Sequence, residues 1–199
     1  MIDFLAMDLV LLAVSLVLVA WFFVRYLEND QQKVAPGFLA VGFLTGISGL
    51  DIIFGWPLAG SYNIVFGEPL TMFGVLLFFT GLALLKGWDL HTIGIFAVFA
   101  GLVAIILGIR MWYGIEVTNK AGEKVLKGMT KEPALAGLSF ILTGVGGMLS
   151  LPAYLLRKSM AVRVIIAIIF VVAAVLFAIT GYGAYWSHPE SFATSKPHM

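Results

Sequence analysis

Asp51 and Arg110 are the ionisable residues whose positions are most informative, because each lies within an otherwise apolar stretch. Each follows a glycine, Gly49 or Gly108, near the end of a long hydrophobic run. A charge inside a bilayer is costly, so it usually pairs with another charge or faces a water-filled cavity. We therefore expect Asp51 and Arg110 to form an ion pair beneath the outer mouth of a membrane protein. The open alternative is that Arg110 extends its guanidinium group to the lipid head groups.

Three further polar residues are expected close to the same mouth. Glu68 and Glu132 each precede a proline, and Asn63 lies in a short polar segment before Glu68. The Glu-Pro pairs have a simpler interpretation as helix starts, because a carboxylate suits a helix N-terminus and proline suits the first turn. The sequence thus provides one set of pore or vestibule candidates: Asp51, Arg110, Glu68, Glu132 and Asn63.

No pattern in the sequence predicts catalysis. The three histidines, His91, His188 and His198, do not have the spacing of metal ligands, and there is no cysteine. No catalytic triad, P-loop or zinc motif is present. We expect no enzyme activity, no catalytic residue, no metal and no cofactor, and the basic residues in short loops do not support nucleic-acid binding. An enzyme acting on lipid or quinone remains a minor alternative, because Asp51 is an acid within the membrane.

The composition predicts a single polytopic membrane domain of the all-α class. The 199 residues are 61% hydrophobic and 12% charged, whereas soluble domains carry about 25% charged residues. Six apolar runs are long enough to cross a bilayer. We place the helices at residues 4–24, 36–55, 69–85, 90–109 and 133–156, with a sixth ending near residue 185. Residues 1–187 then form the transmembrane domain and residues 188–199 a polar C-terminal tail.

The six helices are expected to form three hairpins of consecutive helices. The helices entering from one side begin with an acidic residue, Asp8, Glu68 or Glu132, and each returning helix ends in glycine followed by aromatic residues. The loop between helices 4 and 5 contains two short alternating stretches around a turn-forming centre. This pattern predicts a small β-hairpin outside the bilayer.

The distribution of lysine and arginine predicts the orientation. One face carries its basic residues in short loops, whereas most of those on the other face lie in the single long loop before helix 5. Basic residues in short loops tend to stay in the cytoplasm. We therefore expect a multi-pass protein of the cell membrane, surrounded by lipid, with both termini outside.

Glycines recur at intervals of seven residues or as GxxxG pairs in helices 2 to 5. A spacing of seven keeps a position on one face of packed helices, and small residues allow helix backbones to approach closely in lipid. The glycines can also widen a narrow pore. The predicted helix-packing positions are Gly42, Gly46, Gly74, Gly81, Gly94, Gly101, Gly108 and Gly144.

The stretch SYNIVFGEPLTMFGVLLFFTGLALLKGWDL, residues 61–90, resembles a family of archaeal and bacterial six-helix membrane proteins. That family is known as domain of unknown function 981. The motif SYNxxFGEP is the most specific part of the resemblance, which extends over most of the chain. It implies the fold and supplies no activity.

The chain also resembles the acid-activated urea channels and amide transporters in length, in its six helices and in a glycine-containing third helix. That helix is followed by the turn Gly87-Trp88-Asp89. The resemblance implies a ring of protomers in which each has its own narrow pore. The sequence shows no counterpart of that family's aromatic-rich pore stretches or of its histidine-bearing outer loop, so no pore residue is transferred from it.

Two functions of different classes fit these observations. The first is a passive channel or facilitator for a small, mostly uncharged solute of the urea or amide kind, with selectivity set by pore width and a few lining groups. The second is a non-catalytic structural subunit of a larger membrane complex, in which the glycine stripes form an interface. The first implies a homo-oligomer, whereas the second implies a fixed set of different partners.

Overall fold

Six α-helices make up almost all of the structure, a computed structural model that describes residues 4–58, 60–118, 124–127 and 131–194. All six contain a segment long and apolar enough to cross a membrane, which confirms the predicted number of spanning helices. A π-helical turn, Phe22–Tyr26, continues α1, and a 3-10 turn, Gln31–Val34, leads into α2. The helices are α1 Phe4–Trp21, α2 Ala35–Gly55, α3 Tyr62–Lys86, α4 His91–Tyr113, α5 Lys131–Leu155 and α6 Met160–Thr194.

Two helix boundaries differ from those expected. Helix α3 begins at Tyr62, so Pro69 lies inside the helix and Glu68 is not at its N-terminus. The interpretation of Glu68-Pro69 as a helix start is therefore wrong. The local reason is Asn63, whose buried side chain bonds to the backbone of the preceding loop and fixes the start of the helix before the proline is reached. At the other end of the chain, α6 continues to Thr194, beyond the expected end near residue 185.

Of the three expected hairpins of consecutive helices, α5 and α6 pack against each other, whereas the other two pairs make few contacts. The most extensive contacts join α2 to α3, α4 to α5 and α1 to α6, while α1–α2 and α3–α4 contacts are sparse. The observed grouping is thus offset by one helix from the expected one. For α2–α3 and α4–α5 the physical reason is the position of the glycines, which permit close contact between helix backbones.

The two ends of the bundle differ in character. At the end that we call the basic end, the turns between α1 and α2, α3 and α4, and α5 and α6, together with the helix ends beside them, carry most of the described basic residues. At the opposite end, which we call the strand end, β1 Ile115–Thr118 and β2 Lys124–Lys127 pair antiparallel, with Ile115 opposite Lys127. The connection between the strands, residues 119–123, lies outside the described residues. Exposed tryptophans mark both ends, as expected of an interfacial belt: Trp21 and Trp88 at the basic end, and Trp56, Trp112 and Trp186 at the strand end.

The α2–α3 contact is made by glycine backbones. A Cβ atom built on Gly74 would collide with the backbone of Gly46, and one built on Gly42 would collide with Phe78. A Cβ atom on Gly81 would lie 2.8 Å from the backbone nitrogen of Leu39. These distances are shorter than van der Waals contact, so even alanine cannot be added without separating the two helices.

The α4–α5 contact repeats this arrangement with different glycines. A Cβ atom on Gly101 would lie 2.5 Å from the carbonyl oxygen of Gly144, and one on Gly108 would lie 2.6 Å from that of Gly137. Nearer the basic end, a Cβ atom on Gly94 would lie 2.9 Å from the Leu151 side chain. Both extensive pairs in the middle of the sequence are thus held by backbone-to-backbone contact.

The substitution Gly74→Ala should destabilise the protein by about 1–3 kcal/mol, the usual cost of forcing an extra methyl group into filled space. The matched control is Gly183→Ala in α6, where a Cβ atom meets nothing within 4 Å. The control should be neutral or stabilising by up to about 1 kcal/mol, because alanine favours helix more than glycine does. Denaturant unfolding in mild detergent measures both, and equal effects would contradict backbone packing at Gly74.

Candidate functional site

An internal cavity of about 110 Å³ lies among the helices and is lined by residues from all six of them. A water molecule needs roughly 10–15 Å³ of such volume. The cavity therefore has room for several waters or for a small solute. Its wall is mostly apolar, and the polar groups that interrupt it are few.

Most of the polar groups in the wall lie in one stripe on α5. Thr143, Ser150 and Tyr154 line the cavity together with Gly147, at spacings of four, three and four residues that place them on a single helix face. The Ser150 hydroxyl donates to the Gly146 carbonyl at 2.8 Å. The buried Thr143 hydroxyl has no hydrogen-bond partner among the described residues. Thr143 thus combines a place in the cavity wall with a hydroxyl that bonds no described protein group.

The α4 wall opposite this stripe is built from small side chains. Gly94, Ala97, Gly101 and Ala104 all line the cavity at helical spacing. Two of them, Gly94 and Gly101, are also points of contact with α5. The same glycine stripe thus brings α4 and α5 together and leaves open space beside the line of contact.

Phenylalanine rings surround the cavity at two levels. At the strand-end level, Phe140 lies edge-to-face with Phe177 and with Phe66, at centroid distances of 5.3 and 5.6 Å. Phe140 and Phe177 line the cavity. We call these three residues the strand-end phenylalanine layer.

The second level, the basic-end phenylalanine layer, consists of Phe22, Phe23, Phe38 and Phe170, all of which line the cavity. Phe22 lies edge-to-face with Phe38, at 5.7 Å between centroids. Sequence reasoning missed both layers because it looked for an aromatic-rich stretch. The rings come from five different helices, and only the packing brings them together.

Tyr154 connects the cavity with the basic end of the bundle. Its hydroxyl donates to Asp89 Oδ2 at 2.9 Å, and the Arg157 guanidinium lies 4.9 Å from its ring centroid. Asp89 Oδ1 also accepts from the backbone N–H of His91 at 2.7 Å. The His91 N–H and then the Tyr154 hydroxyl stabilise the ionised carboxylate, so the pKa of Asp89 is lowered from its ordinary value.

The residues expected at a pore mouth do not form the predicted cluster. Asp51 and Arg110 are both exposed, and no ion pair joins them; within the described ranges the pairs are Arg163–Glu28 and Lys33–Asp30. The predicted Asp51–Arg110 pair is therefore wrong. The reason is that α2 and α4 each make their extensive contact with another helix, so the two residues point away from the bundle.

The remaining vestibule candidates have separate positions. Glu68 is exposed near the strand end of α3, and the side chain of Glu132 lies outside the described residues. Asn63 is fully buried, and its amide donates to the carbonyls of Leu58 and Gly60 at 2.6 and 2.9 Å. Asn63 therefore fixes the α2–α3 loop and does not line the cavity.

Asp8 is the ionisable residue whose position the sequence did not indicate. It is fully buried, and its Oδ1 accepts from the Ser48 hydroxyl at 2.5 Å. Its second oxygen and the buried Thr45 hydroxyl have no hydrogen-bond partner in the part of the chain that the structure describes. The α1–α2 contact thus contains a buried polar patch. No group of three His, Cys, Asp or Glu side chains that could hold a metal occurs among the described residues.

Comparison with known proteins identifies the family. The model of the family described as "Protein of unknown function (DUF981)" matches residues 1–191. The chain belongs to the DUF981 family. No curated protein sequence matches the chain.

One solved structure shares the fold. It is the Helicobacter pylori urea channel in its closed state, determined by cryo-electron microscopy, with a TM-score of 0.69 and 14% sequence identity. The match covers 92% of this chain and 98% of that chain. At this identity the likeness shows a common arrangement of six helices.

The hydrogen bonds to Asp89 predict a specific pH dependence of stability. Because the folded state lowers the pKa of Asp89, the ionised carboxylate stabilises the protein above the unfolded pKa. This contribution is lost as the pH falls through the folded pKa. The difference in Tm between wild type and Asp89→Asn should therefore be constant above about pH 5 and shrink as the pH is lowered toward about 3.

Tyr154→Phe provides the comparison for that measurement, because it removes one of the two hydrogen bonds and keeps the one from His91. It should lower Tm by less than Asp89→Asn does and lose its effect over the same pH range. A Tm difference that stays the same or grows on acidification would contradict the assignment.

Proposed function

We propose that this protein is a passive channel or facilitator for a small, uncharged, polar solute of the urea or amide kind. The observation that carries the proposal is the cavity shared by all six helices, with a polar stripe on one wall and apolar side chains elsewhere. An apolar wall excludes ions, because desolvating a charge is costly. Hydroxyl groups along the wall can replace some of the hydrogen bonds that a neutral polar solute loses when it leaves water.

The roles of the lining groups follow from their surroundings. The Thr143 hydroxyl has no hydrogen-bond partner among the described residues and would bond the solute, whereas the Ser150 hydroxyl already donates to its own helix and retains only acceptor capacity. The phenylalanine layers would limit the size of the solute, since aromatic rings fill a cross-section without offering hydrogen bonds. The fold shared with a urea channel supports the proposal.

The alternative function, a structural subunit of a larger complex, receives less support. It requires the glycine stripes to face partner proteins. The glycines of α2, α3, α4 and α5 instead contact one another within the chain. A helix bundle that serves only as a scaffold also has no need for an internal cavity with an unpaired hydroxyl.

The proposal includes an assembly and an orientation. Exposed apolar side chains cover the outside of the helices, which suits contact with lipid and with further copies of the chain in a homo-oligomer. The basic end would face the cytoplasm, since its short turns and the helix ends beside them carry most of the described lysines and arginines. Both termini would then lie outside, with the exposed Asp51, Glu68 and Arg110, together with Glu132, near the outer surface of the cell membrane.

The substitution Thr143→Val tests the proposed route. It removes the free hydroxyl with little change in shape and should lower urea flux into proteoliposomes by roughly 2- to 10-fold, because one neutral hydrogen bond is worth about 0.5–1.5 kcal/mol. The matched control is Thr180→Val on α6, whose hydroxyl bonds to the carbonyls of Leu176 and Phe177. The control should conduct as the wild type does.

Two results would remove parts of this proposal. Wild-type flux no faster than that of empty liposomes for urea, amides, ammonia and glycerol would exclude the channel. Equal loss of flux in Thr143→Val and Thr180→Val would show that the α5 stripe is not the route.

A further inference from the structure

The last turn of α1 departs from regular α-helix geometry at the level of the basic-end phenylalanine layer. After Trp21 the chain follows the π-helical turn Phe22–Tyr26. A π-turn inserts about one extra residue, which rotates the side chains beyond it by roughly 100° relative to an uninterrupted α-helix. Phe22 and Phe23 line the cavity from this turn. The register of the turn therefore decides which side chains of the segment face the cavity.

Arg163 on α6 holds this turn in place. Its Nε donates to the Phe23 carbonyl at 2.7 Å, its Nη2 donates to the Val24 carbonyl, and its Nη1 donates to Glu28 Oε2 at 2.7 Å. The residue is 8% exposed. The planar guanidinium directs its donors in a fixed geometry, which the single ammonium group of lysine cannot reproduce. The arrangement of its donors thus matches the carbonyls of this one turn.

The same face of α6 also packs against the rings that the turn presents. Phe170 lies seven residues after Arg163, two turns along one helix face, and it stacks on Phe23 with 6.2 Å between centroids. Phe22 lies edge-to-face with Phe23 at 5.7 Å. Helix α6 therefore contacts the turn twice: Arg163 bonds to its backbone, and Phe170 packs against its side chains.

We propose that Arg163 is a positioning residue that sets the upper size limit for solutes by keeping Phe22 and Phe23 in the cavity. This inference rests on the proposed channel function, while its structural part can be tested without any flux. Glu28 pairs with the buried charge and so offsets its desolvation. An arginine that served only as an anchor would affect stability and total flux, but it would leave the relative permeability of large and small solutes unchanged.

The first experiment compares the permeability of proteoliposomes to urea and to N,N′-dimethylurea. In Arg163→Lys the ratio of urea permeability to N,N′-dimethylurea permeability should fall by about tenfold. This is the change in an equilibrium that the loss of one hydrogen bond to a charged group produces. The matched control is Arg25→Lys, an exposed arginine in the same turn, which should keep the wild-type preference. An unchanged preference in Arg163→Lys, in a protein that conducts urea, would overturn the inference.

The second experiment uses the absence of cysteine from the natural sequence. A single Phe23→Cys substitution places a unique thiol at a position that lines the cavity. A single Val24→Cys substitution places it at a position that does not. With Arg163 present, Phe23→Cys should react faster with a small maleimide than Val24→Cys does. Combination with Arg163→Lys should reduce or reverse this preference.

The two failures are distinguishable. A labelling preference that is unchanged by Arg163→Lys would overturn the inference even if the wild type conducts solute. If proteoliposomes that contain the wild-type protein conduct no solute, the channel function is overturned, and the size limit is overturned with it.

Discussion

Direct contact between helix backbones is the interaction on which the rest of this structure depends. In lipid, apolar side chains gain little by leaving their surroundings, so helix association relies on close packing. The backbones of neighbouring helices approach so closely that a methyl group has no space on Gly74, Gly101 or Gly144. These contacts select α2–α3 and α4–α5 as the extensive pairs, and α6 closes the bundle by packing against both α1 and α5.

The cavity is a consequence of the same contacts. Gly94, Gly101 and Gly147 all take part in α4–α5 packing and also line the cavity, because a residue without a side chain leaves space on both sides of the helix contact. The phenylalanines bound this space at two levels. The bundle can therefore pack densely along its pairs of helices and still leave a cavity of about 110 Å³ among them, whereas voids larger than a water molecule are few in most protein interiors.

The sequence predicts the spanning helices because the length of each apolar run is enough to identify a helix that can cross a bilayer. It also indicates the glycine positions, but not their partner helices, since a spacing of seven defines a face and leaves open what that face meets. The α5 stripe of Thr143, Ser150 and Tyr154 has a helical spacing that a search for polar residues on one face could have found.

The phenylalanine layers have no local signature, because each ring comes from a different part of the chain. The predicted Asp51–Arg110 pair failed for a related reason. It assumed that charges within apolar stretches must meet each other, whereas both residues are exposed on the outside of the bundle. Asp8 shows the reverse error, because a carboxylate near a helix start was taken as a terminal residue and is fully buried.

The geometry of the α5 stripe also determines how a solute could travel along it. Thr143 and Ser150 are seven residues apart, which corresponds to about 10 Å along the helix axis. A molecule of a few atoms cannot touch both hydroxyl groups at once. Under the proposed channel function, such a solute would meet the two hydroxyl groups one after the other, and water molecules beside it would have to solvate its polar groups in between.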